Sequence, residues 1–181
     1  SSNASLYMGF PADYTVITQD WDAIIRATMC DKLANGLALG YLCDTSEINS
    51  TVTIWVETAQ WANFTGQILV PYFPFWYSDV WLQQIADMVD RRYFIDVEML
   101  PMDTANKKTR NMRDLYFWRR FFHVLLLERI DPAQRMLDHI HTPHSPSRKA
   151  AIEHMNAVIN NIESHTKKIP NKILNAVEVQ K

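Results

Sequence analysis

The residues best equipped for chemistry lie between Asp90 and Asp114. Asp90-Arg91-Arg92-Tyr93-Phe94-Ile95-Asp96-Val97-Glu98 opens this stretch, and Lys107-Lys108-Thr109-Arg110-Asn111-Met112-Arg113-Asp114 closes it. Helices meeting at a connection between the two clusters would gather Arg91, Arg92, Arg110 and Arg113 at one end of a bundle. Guanidinium groups so placed suit phosphate oxygens, which they neutralise without reading bases. The interleaved carboxylates add electrostatic tension, because like charges held close raise one another's pKa.

Other chemistry is thinly represented. With only four Gly, and neither a GxGxxG nor a Walker sequence, glycine-loop nucleotide binding is disfavoured. No Ser/His/Asp or Cys/His arrangement has a recognisable local context, and the acids are scattered. We therefore expect a protein that is not an enzyme and needs no cofactor. All six His lie between 123 and 165. His139 and His141 resemble the His-hydrophobic-His metal motif of nicking endonucleases, but that motif needs a strand and a nearby Tyr, and none follows Tyr116. A solvated linker is the plainer reading of this His-rich stretch.

The formal net charge of −2 conceals an asymmetry. Residues 1–103 carry 13 acids against 4 bases, and residues 104–181 carry 7 acids against 14 bases. Such polarity suits head-to-tail self-association or a localised basic site, unless folding interleaves the halves. Cys30 and Cys43 on one helix are too far apart to bridge, so a reducing compartment is expected. Three sequons begin at Asn3, Asn49 and Asn63, with no signal peptide before them. No apolar run approaches membrane-spanning length.

These residues need elements to position them. Residues 1–17 read as extended. Trp21, Ile24, Ile25, Met29, Leu33, Leu37 and Tyr41 recur at helical spacing, which predicts a helix ending near Asp44. Thr51–Val56 alternates as a short strand or a weak helix, and Gln67–Trp76 reads as extended because of Pro71 and Pro74. A helix is expected from Ser78 through Val89, and the longest from Asp103 or Thr104 to about Ile130. Leu115, Trp118, Phe122, Leu125 and Leu126 form the core stripe of the latter, and Phe117, Phe121 and Leu127 broaden it beyond what a solvent-facing helix needs. Asp131-Pro132 predicts a fresh helix start reaching Ile140, and Ser147–Lys168 a further amphipathic helix. The aromatic centre, including Trp55, Trp61, Phe73 and Trp81, is expected to be core or subunit interface rather than a stacking platform.

Four segments together resemble the coat proteins of rod-shaped plant RNA viruses, typified by tobacco mosaic virus. They are Pro11-x-x-Tyr14-x-Val16-Ile17-Thr18-x-x-Trp21, then Gln67-Ile68-Leu69-Val70-Pro71-Tyr72-Phe73-Pro74, then Arg91–Glu98, and finally Arg110 with Arg119, Glu128 and Ile130. They occur in the family's order over roughly residues 6–131. The resemblance implies a mainly α fold: an antiparallel four-helix bundle with a small antiparallel sheet at one end and a C-terminal helical extension. The corresponding domains are 1–141, the coat domain, and 142–181, linker and extension.

The implied function is self-assembly into a helical rod or filament around genomic single-stranded RNA, in a virion and in host cytoplasm, with no membrane partner. Carried over, Arg91 and Arg110 meet phosphates. Arg92 is offset by one from a family arginine, and Arg113 is added on charge alone. Asp96 and Glu98 match one family acidic element, while Glu57 and Asp79 correspond approximately to its inter-subunit partner. Protons or a divalent cation would quiet repulsion among these carboxylates. The chain departs from the family in its extension beyond the long helix, and in Met112 and Arg113 where the family has acids. The alternative is a soluble helical protein–protein interaction module without nucleic-acid binding, and a third reading is a metal-dependent nuclease using His139 and His141.

Overall fold

The architecture, given by a computed structural model, is a curled five-stranded sheet with helices on both faces. The structure describes residues 5–9, 13–30, 36–45, 52–73, 77–102 and 115–167. The strands are β1 (Leu6–Gly9), β2 (Tyr14–Val16), β3 (Leu39–Asp44), β4 (Trp55–Thr58) and β5 (Arg92–Pro101). The helices are α1 (Trp21–Cys30), α2 (Ala59–Thr65), α3 (Ser78–Met88), α4 (Leu115–Val124), α5 (Leu126–Ile140) and α6 (Pro146–Lys167). None of them is long and apolar enough to cross a membrane.

Strand β5 shows why the sheet forms. Ile95, Val97 and Met99 are buried on one side, while Phe94, Asp96, Glu98 and Leu100 are exposed on the other. Such a period of two over ten residues is the pattern of a half-buried strand. The sheet order is β1-β4-β3-β5-β2, with β3 and β5 parallel and the other neighbours antiparallel. A parallel pair requires a crossover, and here the intervening chain contains β4, α2 and α3.

Chain length forces the curl. The stretch from Gly9 to Tyr14 reaches ~17 Å at full extension, whereas the outer strands of a flat five-stranded sheet lie ~19 Å apart. Because β1 and β2 are the two outer strands, the sheet rolls towards a half-barrel. Its interior holds Leu42, Ile54, Val56, Ile95, Val97 and Met99, closed by Ile25 and Met29 of α1. Gly40 sits where Ile95 crosses: a Cβ there would lie 2.5 Å from Ile95 Cδ1 and 3.0 Å from Met29 Sδ. Only glycine leaves that room.

The second core lies between the sheet's outer side and helices α3, α5 and α6. Trp81, Leu82 and Ile85 of α3 meet Phe122 of α4, Met136 and Leu137 of α5, and Met155 and Ile162 of α6 within it. Phe73 is its aromatic hub, with the rings of Tyr77, Trp81, Trp118, Phe121 and Phe122 centred 5.8 to 6.2 Å away. Tilted and edge-on pairs of this kind add about 0.5–1.5 kcal/mol each beyond the area they bury.

The fold corrects the four-helix-bundle expectation. Of the helix expected to run from Trp21 towards Asp44, the structure describes Trp21–Cys30, residues 31–35 lie outside the described residues, and Leu39–Asp44 is a strand within the sheet. The Arg91–Glu98 segment, expected at a helix–helix connection, enters the strand that joins β3 to β2. The stretch to Ile130 breaks at Leu125, between α4 and α5, and α5 runs straight through Pro132 where a new start was expected. With six helices and a five-stranded curled sheet among the described residues, the resemblance to rod-virus coat proteins does not hold. The helical rod around RNA that depended on radial bundle helices falls with it.

Candidate functional site

The sharpest local geometry is the junction of α3 and β5. Arg91 N–H donates to Ala86 O at 2.9 Å, and Asp90 N–H reaches Asp87 O at 3.4 Å. This is a Schellman ending, in which the residue after the cap is left-handed and usually glycine. Asp90 occupies that place with φ 52°. The tight ending sends the chain directly into β5, so that Arg91, Arg92 and Tyr93 face the ends of α5 and α6.

The two arginines are used differently. Arg92 Nε bonds Asp87 Oδ1 at 2.9 Å, and its guanidinium lies 5.4 Å from the centre of the Tyr41 ring. Arg91 forms no ion pair among the described residues; its Nη1 lies 3.4 Å from the Tyr93 hydroxyl. Both line a cleft of ≈ 560 Å³, whose opposite wall carries His141, Ala150, Ala151 and His154. A second hollow of ≈ 310 Å³ shares Asp90, Arg92 and His154 with it and is floored by Asp87. Burial raises the Asp87 carboxyl above its ordinary pKa, against the pull of Arg92, a Gln83 hydrogen bond and His154. His154 Nε2 lies 2.8 Å from the carbonyl oxygen of Asp87, and because a carbonyl only accepts, this nitrogen carries the proton. Asp90, Arg91, Arg92, His141 and His154 therefore line one volume.

The other expected site residues are dispersed. Arg110 and Arg113 lie outside the described residues. Asp96 and Glu98 share the exposed side of β5 with Phe94 and Leu100. The register continues that surface onto β2: Thr15 pairs with Leu100, and Ile17 N–H donates to Glu98 O at 3.1 Å. Cys43, beside them, has its thiol pKa raised by burial and then by Glu98, Asp96 and Asp44. Asp79 is in the first turn of α3, where its Oδ1 accepts from Val80 N–H at 2.8 Å. Glu57 is apart from all of them. It is 0% exposed on β4, neither carboxyl oxygen has a hydrogen-bond partner among the described residues, and burial alone pushes its pKa up to about 8. His139 contacts α2, with its Nε2 2.9 Å from Gln60 Nε2 and its ring centre 5.1 Å from that of Phe64. Among the described residues no group of three or more His, Cys, Asp or Glu is placed to hold a metal ion.

A third surface was only hinted at by the sequence. On α4, Tyr116 and Val124 are 67% and 78% exposed, and Leu127 at the start of α5 is 74% exposed. Phe117 is exposed as well and stacks on Phe121, with ring centres 6.0 Å apart. Arg120 falls between Tyr116 and Val124 at helical spacing, and Arg119 flanks it. The signal was the excess of apolar residues around this helix: Trp118 and Phe122 meet the core, leaving Tyr116, Phe117, Val124 and Leu127 outside it. No protein-family model, no curated protein and no solved structure matches this chain.

Proposed function

We propose that this chain is a protein–protein interaction module rather than a catalyst, and that its partner is a second copy of itself. One observation carries the reading: two exposed faces have apolar centres and opposite charge. The α4 face presents Tyr116, Phe117, Val124 and Leu127 with Arg119 and Arg120. The β5–β2 face presents Phe94, Leu100 and Ile17, exposed by 43%, 46% and 50%, with Asp96 and Glu98 between them. Contiguous exposed apolar surface marks interaction sites. Opposite charge sets orientation and speeds encounter. Because the faces differ, their contact is head-to-tail, so each added copy leaves one face of each kind free. This reading includes no RNA.

Sedimentation velocity over a concentration series at low and high salt tests it. Larger species should appear with concentration and recede with salt, as screening weakens the charged part of the contact. Arg119→Glu with Arg120→Glu should give monomers, and so should Asp96→Lys with Glu98→Lys. Mixing those two proteins should restore assembly, because every junction in the mixture again joins opposite charges, native at one face and reversed at the other. Single-stranded RNA should leave the wild-type profile unchanged. A wild-type monomer at every concentration would overturn self-association.

A further inference from the structure

We infer that the cleft between the α3–β5 junction and helices α5 and α6 is a binding site for a small hydroxylated oxyanion, the class that includes sugar phosphates and hydroxy acids. This does not depend on self-association, which uses other surfaces. The volume is suitable: hollows of ≈ 560 and ≈ 310 Å³ share Asp90, Arg92 and His154, and small-molecule sites run about 300–1,000 Å³.

Charge placement selects the ligand class. Arg92 is already committed to Asp87 and Tyr41, whereas Arg91 has no ion pair among the described residues and a 3.4 Å contact with the Tyr93 hydroxyl. A guanidinium fork with no carboxylate on it matches the paired oxygens of a phosphate or carboxylate ligand. His141 and His154 line the same cleft, and His154 has spent its Nε2 proton on the Asp87 carbonyl, leaving Nδ1 to accept from a ligand hydroxyl. Asp90 decides against a bare anion, which its carboxylate would repel. A ligand that also carries hydroxyl groups turns that repulsion into hydrogen bonds, because an ionised carboxylate only accepts. Asp90 holds the left-handed position where glycine has the lower backbone cost. From that position Asp90 borders both hollows.

Isothermal titration of the full chain with ribose 5-phosphate, tartrate, inorganic phosphate and glucose tests the site. Ribose 5-phosphate or tartrate should bind saturably, the stronger one showing whether phosphate or carboxylate is preferred. Inorganic phosphate should bind at least about tenfold more weakly, and glucose more weakly still. Arg91→Met should weaken the best ligand by about tenfold or more with an unchanged melting temperature. Arg91→Lys, which keeps the charge and loses the fork, should fall between, and it serves if the Met variant does not fold. Asp90→Gly should abolish the preference for ribose 5-phosphate over inorganic phosphate. Failure of both hydroxylated anions to bind, or undiminished binding in both Arg91 variants, would overturn the proposal.

Discussion

Arg129 donates from Nη1 to the carbonyl oxygen of Phe122 at 2.7 Å while its guanidinium lies 3.9 Å from the centre of the same residue's ring. It also reaches Leu125 O at 3.3 Å and lies 4.9 Å from the Trp81 ring. The side chain is fully buried, and its Nε and Nη2 have no hydrogen-bond partner among the described residues. It thus ties off carbonyls at the break between α4 and α5, and aromatic faces stand in for a carboxylate. Burial lowers its pKa to about 9.

Arg129 should be replaceable by shape but not by deletion. Arg129→Ala leaves a cavity among aromatic rings and two carbonyls without their donor, and should cost about 3 kcal/mol or more. Arg129→Met keeps most of the volume and removes a charge whose burial is unfavourable, so it should recover much of that loss. Urea denaturation of the three proteins gives the ranking. An Ala variant as stable as Met would show that packing around the guanidinium contributes nothing.

Glu57 should make the protein less stable as pH rises from acid to mildly alkaline. Below its ordinary value of 4.5 the carboxyl is protonated in both folded and unfolded chains. Between there and about 8 the unfolded chain releases the proton and the folded chain keeps it, so stability falls steadily as pH climbs. Each pH step of one across that interval costs about 1.4 kcal/mol, so the loss amounts to several kcal/mol and is complete above the folded value. Glu57→Gln should match wild type near pH 5 and exceed it near pH 8 by a few kcal/mol. Parallel pH profiles of unfolding free energy for the two proteins would refute this.

Asp90→Gly should stabilise the fold by about 0.5–1 kcal/mol, because the left-handed backbone favours glycine and the Schellman hydrogen bonds are untouched. Thermal and urea unfolding measure it. A destabilised Gly variant would mean that the carboxylate contributes to folding itself, and that its position needs no ligand to explain it.

The sequence made some of this legible and concealed the rest for identifiable reasons. Helices α3 and α6 lie where Trp81, Ile85 and Met88, and then Met155, Val158 and Ile162, recur at helical spacing. Leu37 and Tyr41 misled because a spacing of four satisfies a helix and also returns to the same face of an extended chain. Both do face one core, Leu37 from just before β3 and Tyr41 from within it. The segment Arg91–Glu98 read as part of a helix–helix connection because its charges drew the reading, and its place inside a sheet depends on β3, which comes from distant sequence. The Arg92–Asp87 bond crosses a left-handed helix ending at Asp90, which no glycine in the sequence signals. Arg91, which has no ion pair among the described residues, therefore could not be told from its neighbour. The exposed α4 face was foreshadowed by an excess of apolar residues, whereas the acidic face that complements it needed the register of β2 on β5.

Gly40 and Ile95 should behave as one unit. A methyl group at Gly40 would overlap Ile95 Cδ1 inside the curled sheet, with Met29 Sδ the next atom in its way. Overpacking of that kind costs about 1–3 kcal/mol, so Gly40→Ala should lower stability by that much. Ile95→Val removes the overlapping methyl and should itself cost about 0.5–1.5 kcal/mol. In the double variant the new methyl fills the space the old one left, and the combined loss should be smaller than the sum of the single losses by at least about 0.5 kcal/mol. A double-mutant cycle in urea reads this coupling directly. Strict additivity would mean that the penalty at Gly40 comes from the backbone and not from Ile95, and that the Ile95 side chain lying over β3 is not what demands glycine there.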